Sequence, residues 1–130
     1  MANVTVTNTK LTAFNDFKVL TANAATETTD ATAQKFVFTP TGKDNHAVIL
    51  VSAASADGVS VTVGAGTGVF ALGALTDAIG TAAGLYAMQI ETGRYMNDDG
   101  QIEISFTPPA SKDLVNDLAL KVYVCEMLPN

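Results

Sequence analysis

The feature that most restricts this chain is its rhythm. Short runs rich in Val, Ile, Phe and Tyr are each cut off by Gly, Asn, Asp or Pro, and no long stretch carries apolar residues at helical spacing. Candidate strands fall at residues 4–7, 16–20, 35–39, 47–52, 59–63, 86–91, 101–106 and 118–126. About eight short strands in one chain predict an all-β, single-domain antiparallel β-sandwich, jelly-roll-like in its loops. Val59-Ser60-Val61-Thr62-Val63 and Gln101-Ile102-Glu103-Ile104-Ser105-Phe106 alternate apolar with polar residues, so each has one face in the core. Ala47-Val48-Ile49-Leu50-Val51 does not alternate, which predicts a central strand covered on both faces.

The breaks between strands have mechanisms. Pro40 cannot donate to a ladder and Gly42 accepts positive φ, so the strand from residue 35 should turn over 39–45. Asn97-Asp98-Asp99-Gly100 carries the Asp-Gly signal of a hairpin leading into the strand from Gln101. Pro108-Pro109 forbids pairing after Phe106 and predicts a loop through residues 110–116. Residues 21–34 are almost all Ala and Thr and read as an exposed excursion. Residues 1–12 read as a weakly charged N-terminal arm ahead of a sandwich domain at 13–130.

A length of 130 residues fits one domain. Charged residues make up 15% of it, against about 25% in an ordinary soluble protein. The 48% that is hydrophobic is mostly Ala and Val, with no Trp, and supplies little apolar area per residue for a self-sufficient core. Such a chain is expected to hide surface against a partner. Seven Lys+Arg against 13 Asp+Glu give a net charge of −6, which disfavours nucleic acid and anionic membranes as partners. Residues 69–90 carry one charge, Asp77, and have the length of a membrane span, but three glycines and a mid-span carboxylate favour buried strands joined by Gly/Ala loops. The N-terminus lacks the charged and apolar regions of a secretory signal, so synthesis in a cytoplasm is expected.

No residue set assembles a catalytic motif. Gly64-Ala65-Gly66-Thr67-Gly68 follows a strand, yet Val69 stands where a dinucleotide fingerprint needs glycine, and no Gly-Lys-Ser/Thr follows. Cys125 and His46 are each single in the chain; a Cys–His pair requires them to meet in space, and an inert packed thiol with a solvated histidine is the simpler reading. One cysteine also excludes an internal disulfide and a cysteine-built zinc cluster. Asn97, Asp98, Asp99 and Glu103 could offer oxygens to a cation, but EF-hand spacing would put Tyr95 first and Phe106 last, where carboxylates are needed. No Gly-x-Ser-x-Gly elbow occurs. The residues therefore assign no catalytic, cofactor or metal site, and an enzyme is disfavoured. Sugar binding, common on such folds, has only Tyr86, Tyr95 and Tyr123 as amphipathic stacking rings.

The order Phe36-Val37-Phe38-Thr39-Pro40-Thr41-Gly42-Lys43-Asp44, an apolar strand Val48 to Val51, then Val59-Ser60-Val61-Thr62-Val63-Gly64-Ala65-Gly66-Thr67-Gly68-Val69 resembles the head decoration, cement or auxiliary capsid proteins of tailed bacteriophages. Ile90-Glu91-Thr92-Gly93-Arg94-Tyr95-Met96-Asn97 followed by Gly100-Gln101-Ile102-Glu103-Ile104 is similar to the same family's strand, Gly-Arg turn and strand. The similar segments cover about residues 35–106; the Ala-rich stretch after Gly68 and the Pro108-Pro109 loop depart from the pattern. The resemblance implies a β-sandwich bound to the outside of an assembled head through the major capsid protein, often as a homotrimer, bridging capsomers without catalysis. Low charge and small side chains, which permit close approach, mark residues 1–12 and 64–84 as the expected contact surfaces, and deleting the arm is expected to abolish binding while sparing the fold. Another virion part, a tail or fibre module, is the neighbouring alternative, and a sugar-binding β-sandwich the more distant one.

Overall fold

The computed structural model describes residues 2–15, 17–41, 46–54, 58–69, 71–79 and 83–127. Ten strands and one helical turn follow in order: β1 (Val4–Thr5), β2 (Asn8–Leu11), β3 (Asn23–Ala24), β4 (Gln34–Phe38), β5 (His46–Ala53), β6 (Ser60–Val63), β7 (Leu75–Ala78), β8 (Gly84–Glu91), α1 (Thr92–Tyr95), β9 (Ile102–Thr107) and β10 (Lys121–Met127). They form two sheets. The first runs β1-β4-β9-β6-β7; the second runs β2-β10-β5-β8, with β3 also pairing β10. The all-β sandwich expected from the sequence is thus the architecture, with about ten strands rather than eight.

Alternation builds the core. Phe36 and Phe38 on β4, Ile102, Ile104 and Phe106 on β9, and Val61 and Val63 on β6 turn inward from the first sheet. Ala47, Ile49 and Val51 on β5, Val122 and Val124 on β10, and Ile90 on β8 answer them from the second. Phe36 and Phe106 meet edge to face with centroids 5.3 Å apart at 87°, a geometry that adds about 1 kcal/mol beyond the area it buries. Leu114, Leu118 and Leu120, from the loop after Pro108-Pro109, are fully buried with them.

Several expectations change. The sheets are mixed: β1 runs parallel to β4 and β2 parallel to β10, while the other pairs are antiparallel. Residues 17–20 form no strand; Asp16 lies outside the described residues, as do 42–45 of the turn after Pro40. The Asp-Gly turn is present, with Gly100 at φ +74° and its amide donating to the Asn97 carbonyl. It joins no hairpin: α1 turns the chain out of the second sheet after β8, and β9 belongs to the first. The last strand starts at Lys121 rather than 118, although Leu118 is core. β5 is central as expected, but Val48 and Leu50 are only half-buried, so its outer face is not covered. Within 69–90, β7 and β8 are edge strands with most residues exposed rather than buried. No helix among the described residues is long and apolar enough to cross a membrane.

The stretch 4–11 crosses from one sheet to the other. Val6 is buried and its amide donates to the Val37 carbonyl, and the Thr7 amide donates to Asn23 Oδ1. Residues 1–12 thus supply β1 to the first sheet and β2 to the second. Three buried polar side chains close this side. Asn23 donates to the carbonyls of Thr21 and Val122. Gln34 donates to the Ala2 carbonyl and accepts from the Thr26 and Glu27 amides, holding down both ends of the largely exposed 21–34 stretch. Glu126, on the inward side of β10, accepts from Asn8 Nδ2 at 3.0 Å and from the Thr41 amide at 3.0 and 2.9 Å.

Glu126→Ala removes a fully buried carboxylate together with its bonds from the Thr41 amide and the Asn8 side chain. A loss of about 2–4 kcal/mol is expected, read as a lower urea midpoint at unchanged m-value.

Candidate interaction surfaces

The two outer faces differ in chemistry. On the first sheet the outward positions are Lys35, Val37, Glu103, Ser105, Ser60, Thr62 and Thr76, largely hydroxyl or charged. Lys35 and Glu103 pair at 3.0 Å there. On the second sheet the outward row reads Leu85 and Ala87 on β8, Val48 and Leu50 on β5, and Tyr123, Cys125 and Met127 on β10. Lys121 marks one end of that row, and Gln89 and Glu91 the other.

The sandwich also differs between its two sides. On one side the chain passes from β1 to β2 through two residues, Val6 and Thr7, which seal it. On the other side β7 and β8 face each other as the free edges of the two sheets. A cleft of about 140 Å³ opens between them, lined by Ile49, Val51, Ile79, Tyr86 and Met88 with Asp77 at its rim. Across the sandwich, between β2 and β3, three large apolar side chains stand in water: Phe14 is 88%, Phe17 101% and Val19 93% exposed.

The glycine-rich loop after β6 is tied down by backbone bonds. The Gly64 amide donates to the Glu103 carbonyl, Gly66 to Leu72, Thr67 to Met96 and Leu72 to Arg94. Gly66 lies so close to α1 that a Cβ would enter the Arg94 carbonyl, whereas nothing lies within 4 Å of a Cβ at Gly68. The amides of Gly64, Gly66 and Thr67 are thus engaged within the protein rather than turned to a phosphate.

His46 and Cys125 share the outer face of the second sheet, as Cys125 pairs with Val48, two residues along β5 from His46. The imidazole Nδ1 lies 2.8 Å from Gln89 Nε2 on β8, the neighbour on the side away from Cys125. Burial pushes the thiol pKa up, opposite to what a nucleophile needs. His46 also borders a groove of about 370 Å³ with Leu75, Gln89, Glu91, Arg94 and Tyr95. Its charges are matched: Arg94 Nε donates to Glu91 Oε2 at 2.7 Å and holds that carboxyl below its usual range. No serine, threonine or cysteine is among its described lining residues.

The Asn97–Glu103 region does not converge on a cation. Asn97 Oδ1 accepts from the Asp99 and Gln101 amides, its Nδ2 donates to Glu103 Oε1, and Glu103 faces Lys35. A different carboxylate set does come together: Asp30, Asp113 and Asp117 place one oxygen each within 4.8 Å of one another. Asp113 is buried, which alone would raise its pKa, but bonds from the amides of Asn116 and Asp117 and from the Asn116 side chain outweigh burial and leave it lowered. Those bonds shape the turn before Leu118. Asp30 stands 83 positions from Asp113, so no local spacing announces the set.

Of the tyrosines, Tyr95 is buried and Tyr86 and Tyr123 are half-buried, so none lies flat and open as a sugar platform. No family model, curated protein or solved structure matches the chain.

Gly66→Ala should cost about 2 kcal/mol or more, while Gly68→Ala should fall within about 0.5 kcal/mol of wild type, as thermal melts of the pair will read. Cys125 should alkylate at least about tenfold more slowly in the native protein than in urea at equal pH. Its raised pKa also makes a stability contribution that is intact below about pH 8.5 and lost as pH climbs towards the folded-state value.

Proposed function

We propose that this protein is a structural component of a tailed-phage virion, a decoration or cement protein that binds the major capsid protein on the outside of the head and bridges capsomers. It carries out no catalysis in this reading and works as a homo-oligomer, with a trimer favoured. The resemblance supplies the class, and its segments fall on β4, β5, β6 and β8–α1–β9.

One observation carries the reading: the large apolar side chains left in water. Phe14, Phe17, Val19, Val69 and Leu85 are mostly or wholly exposed, in a chain with few charges to keep such surface soluble. Phe14, Phe17 and Val19 alone present on the order of 500 Å² within six residues, as much as the largest patch on a typical monomer. Surface of that kind favours a partner. A partner that exists only as an assembled lattice is stabilised by linkage, because the bound protein holds the shell and not the free subunit. Contact by an oligomer multiplies the effect through effective concentration.

Undecorated heads mixed with the purified protein and imaged by electron cryo-microscopy test this directly. Added density at three-fold or quasi-three-fold positions is expected, together with a higher temperature of head disruption. Heads that gain no density at saturating protein overturn the proposal.

A further inference from the structure

We propose that the segment 17–22 of one copy docks against the free edge of β8 in a neighbouring copy, with Phe17 seated in the apolar cleft between β7 and β8. This deepens the oligomeric part of the reading above and names its contact.

The donor is a strand without a sheet. Phe17-Lys18-Val19-Leu20 has the composition of a strand, with Phe17 and Val19 on one side at a period of two, yet it belongs to neither sheet and Phe17 is as exposed as in an unfolded chain. An unpaired apolar segment of this kind recovers its backbone hydrogen bonds and buries its side chains by adding to a sheet edge.

The acceptor is the unguarded edge. Proteins protect free edges with charges, especially ones that point inward. β7 has that protection: Asp77 pairs with the inward Val61, so its carboxylate stands at the inner side of the edge. β8 does not, since no ionisable acid or base occurs from Gly84 to Ile90 apart from the Tyr86 phenol, and Leu85 and Ala87 are exposed. The cleft beside it measures about 140 Å³, close to the roughly 150 Å³ in which an apolar cavity holds a benzene ring. A phenylalanine ring therefore fits. The charges are complementary: among the described residues Asp77 is the one charged residue lining the cleft, and Lys18 is the one charged residue in 17–22.

Position makes the contact intermolecular. The donor segment leaves from β2 and returns at β3, both paired to β10, whereas β8 is the opposite end of the same sheet. Donor and acceptor on opposite sides make a head-to-tail interface, in which each copy gives a segment and receives one; such an interface forms a ring where its rotation closes and a filament where it does not.

Size-exclusion chromatography with light scattering, on the protein without heads, tests this at about 100 μM, well above the Kd of a micromolar contact. The wild type should run at a multiple of the 13.5 kDa chain mass. Phe17→Asp and Ala87→Lys change exposed residues, so each should keep the wild-type circular dichroism spectrum while its mass falls to that of one chain. A wild type that is monomeric at this concentration, or an oligomer that survives either substitution, overturns the inference. If a monomeric wild type binds heads and Phe17→Asp does not, the segment's occupant is the capsid and not a second copy. Failure of head binding with self-association intact instead strikes the capsid reading alone.

Discussion

Two facing sheets have four edges, and how each edge is finished decides the rest of this molecule. On one side β1 and β2 are consecutive in the chain and end different sheets, so the two residues between them close the sandwich like a seam. Val6 fills the gap, and Asn23, Gln34 and Glu126 satisfy the backbone groups that a parallel strand and a chain crossing would otherwise strand in a dry interior. On the other side β7 and β8 end their sheets with no such cover among the described residues. The inner layer of aliphatic side chains consequently reaches the surface there as a cleft. The asymmetry places buried polar anchors at the N-terminal side and an open apolar cleft at the opposite one.

That arrangement also explains where the ionisable groups are engaged. Glu126 accepts bonds that join β10 to β2 and to the chain after β4. Asp113 organises the turn that delivers Leu118 to the core, and Glu91 pairs with Arg94 at the helical turn where the chain changes sheets. Each has a structural task that its hydrogen bonds account for. The apolar residues, by contrast, exceed what the interior uses, with Val48, Leu50 and Leu85 on an outer face and Phe14, Phe17 and Val19 beyond the fold.

The strands that bury one face were legible because alternation is a local signal: β4, β6 and β9 fall where Phe36-Val37-Phe38, Val61-Thr62-Val63 and Ile102-Glu103-Ile104 put them. The N-terminal strands were not. Asn8-Thr9-Lys10-Leu11 has little strand character, and it pairs with β10 more than a hundred positions away in parallel register, which no turn signal can encode. β7 was hidden in the same way, since Leu75-Thr76-Asp77-Ala78 owes its conformation to the ladder with β6. The Asp-Gly signal at 99–100 foretold the turn but not its partners, because Thr92 and Tyr95 anchor a helical turn that diverts the chain first. The Asp30, Asp113 and Asp117 set was illegible for a similar reason: tertiary structure brings it together.

The most informative differences are those in which the sequence read burial that the isolated chain does not provide. Val48 and Leu50 gave the pattern of a strand covered on both faces, and residues 16–20 gave the pattern of a strand. In the folded chain the first is covered on one face, and residues 17–20 have no sheet to join. Local pattern responds to every environment in which a residue functions, including those created by a neighbouring molecule, whereas a single copy displays only its own contacts. Two such surpluses in one chain, one on an outer sheet face and one in a segment opposite an unguarded edge, have a common account if the working unit is larger than the chain. The low charge density then follows from the same cause, because a surface that is covered in the assembly has no need of charge to remain in water.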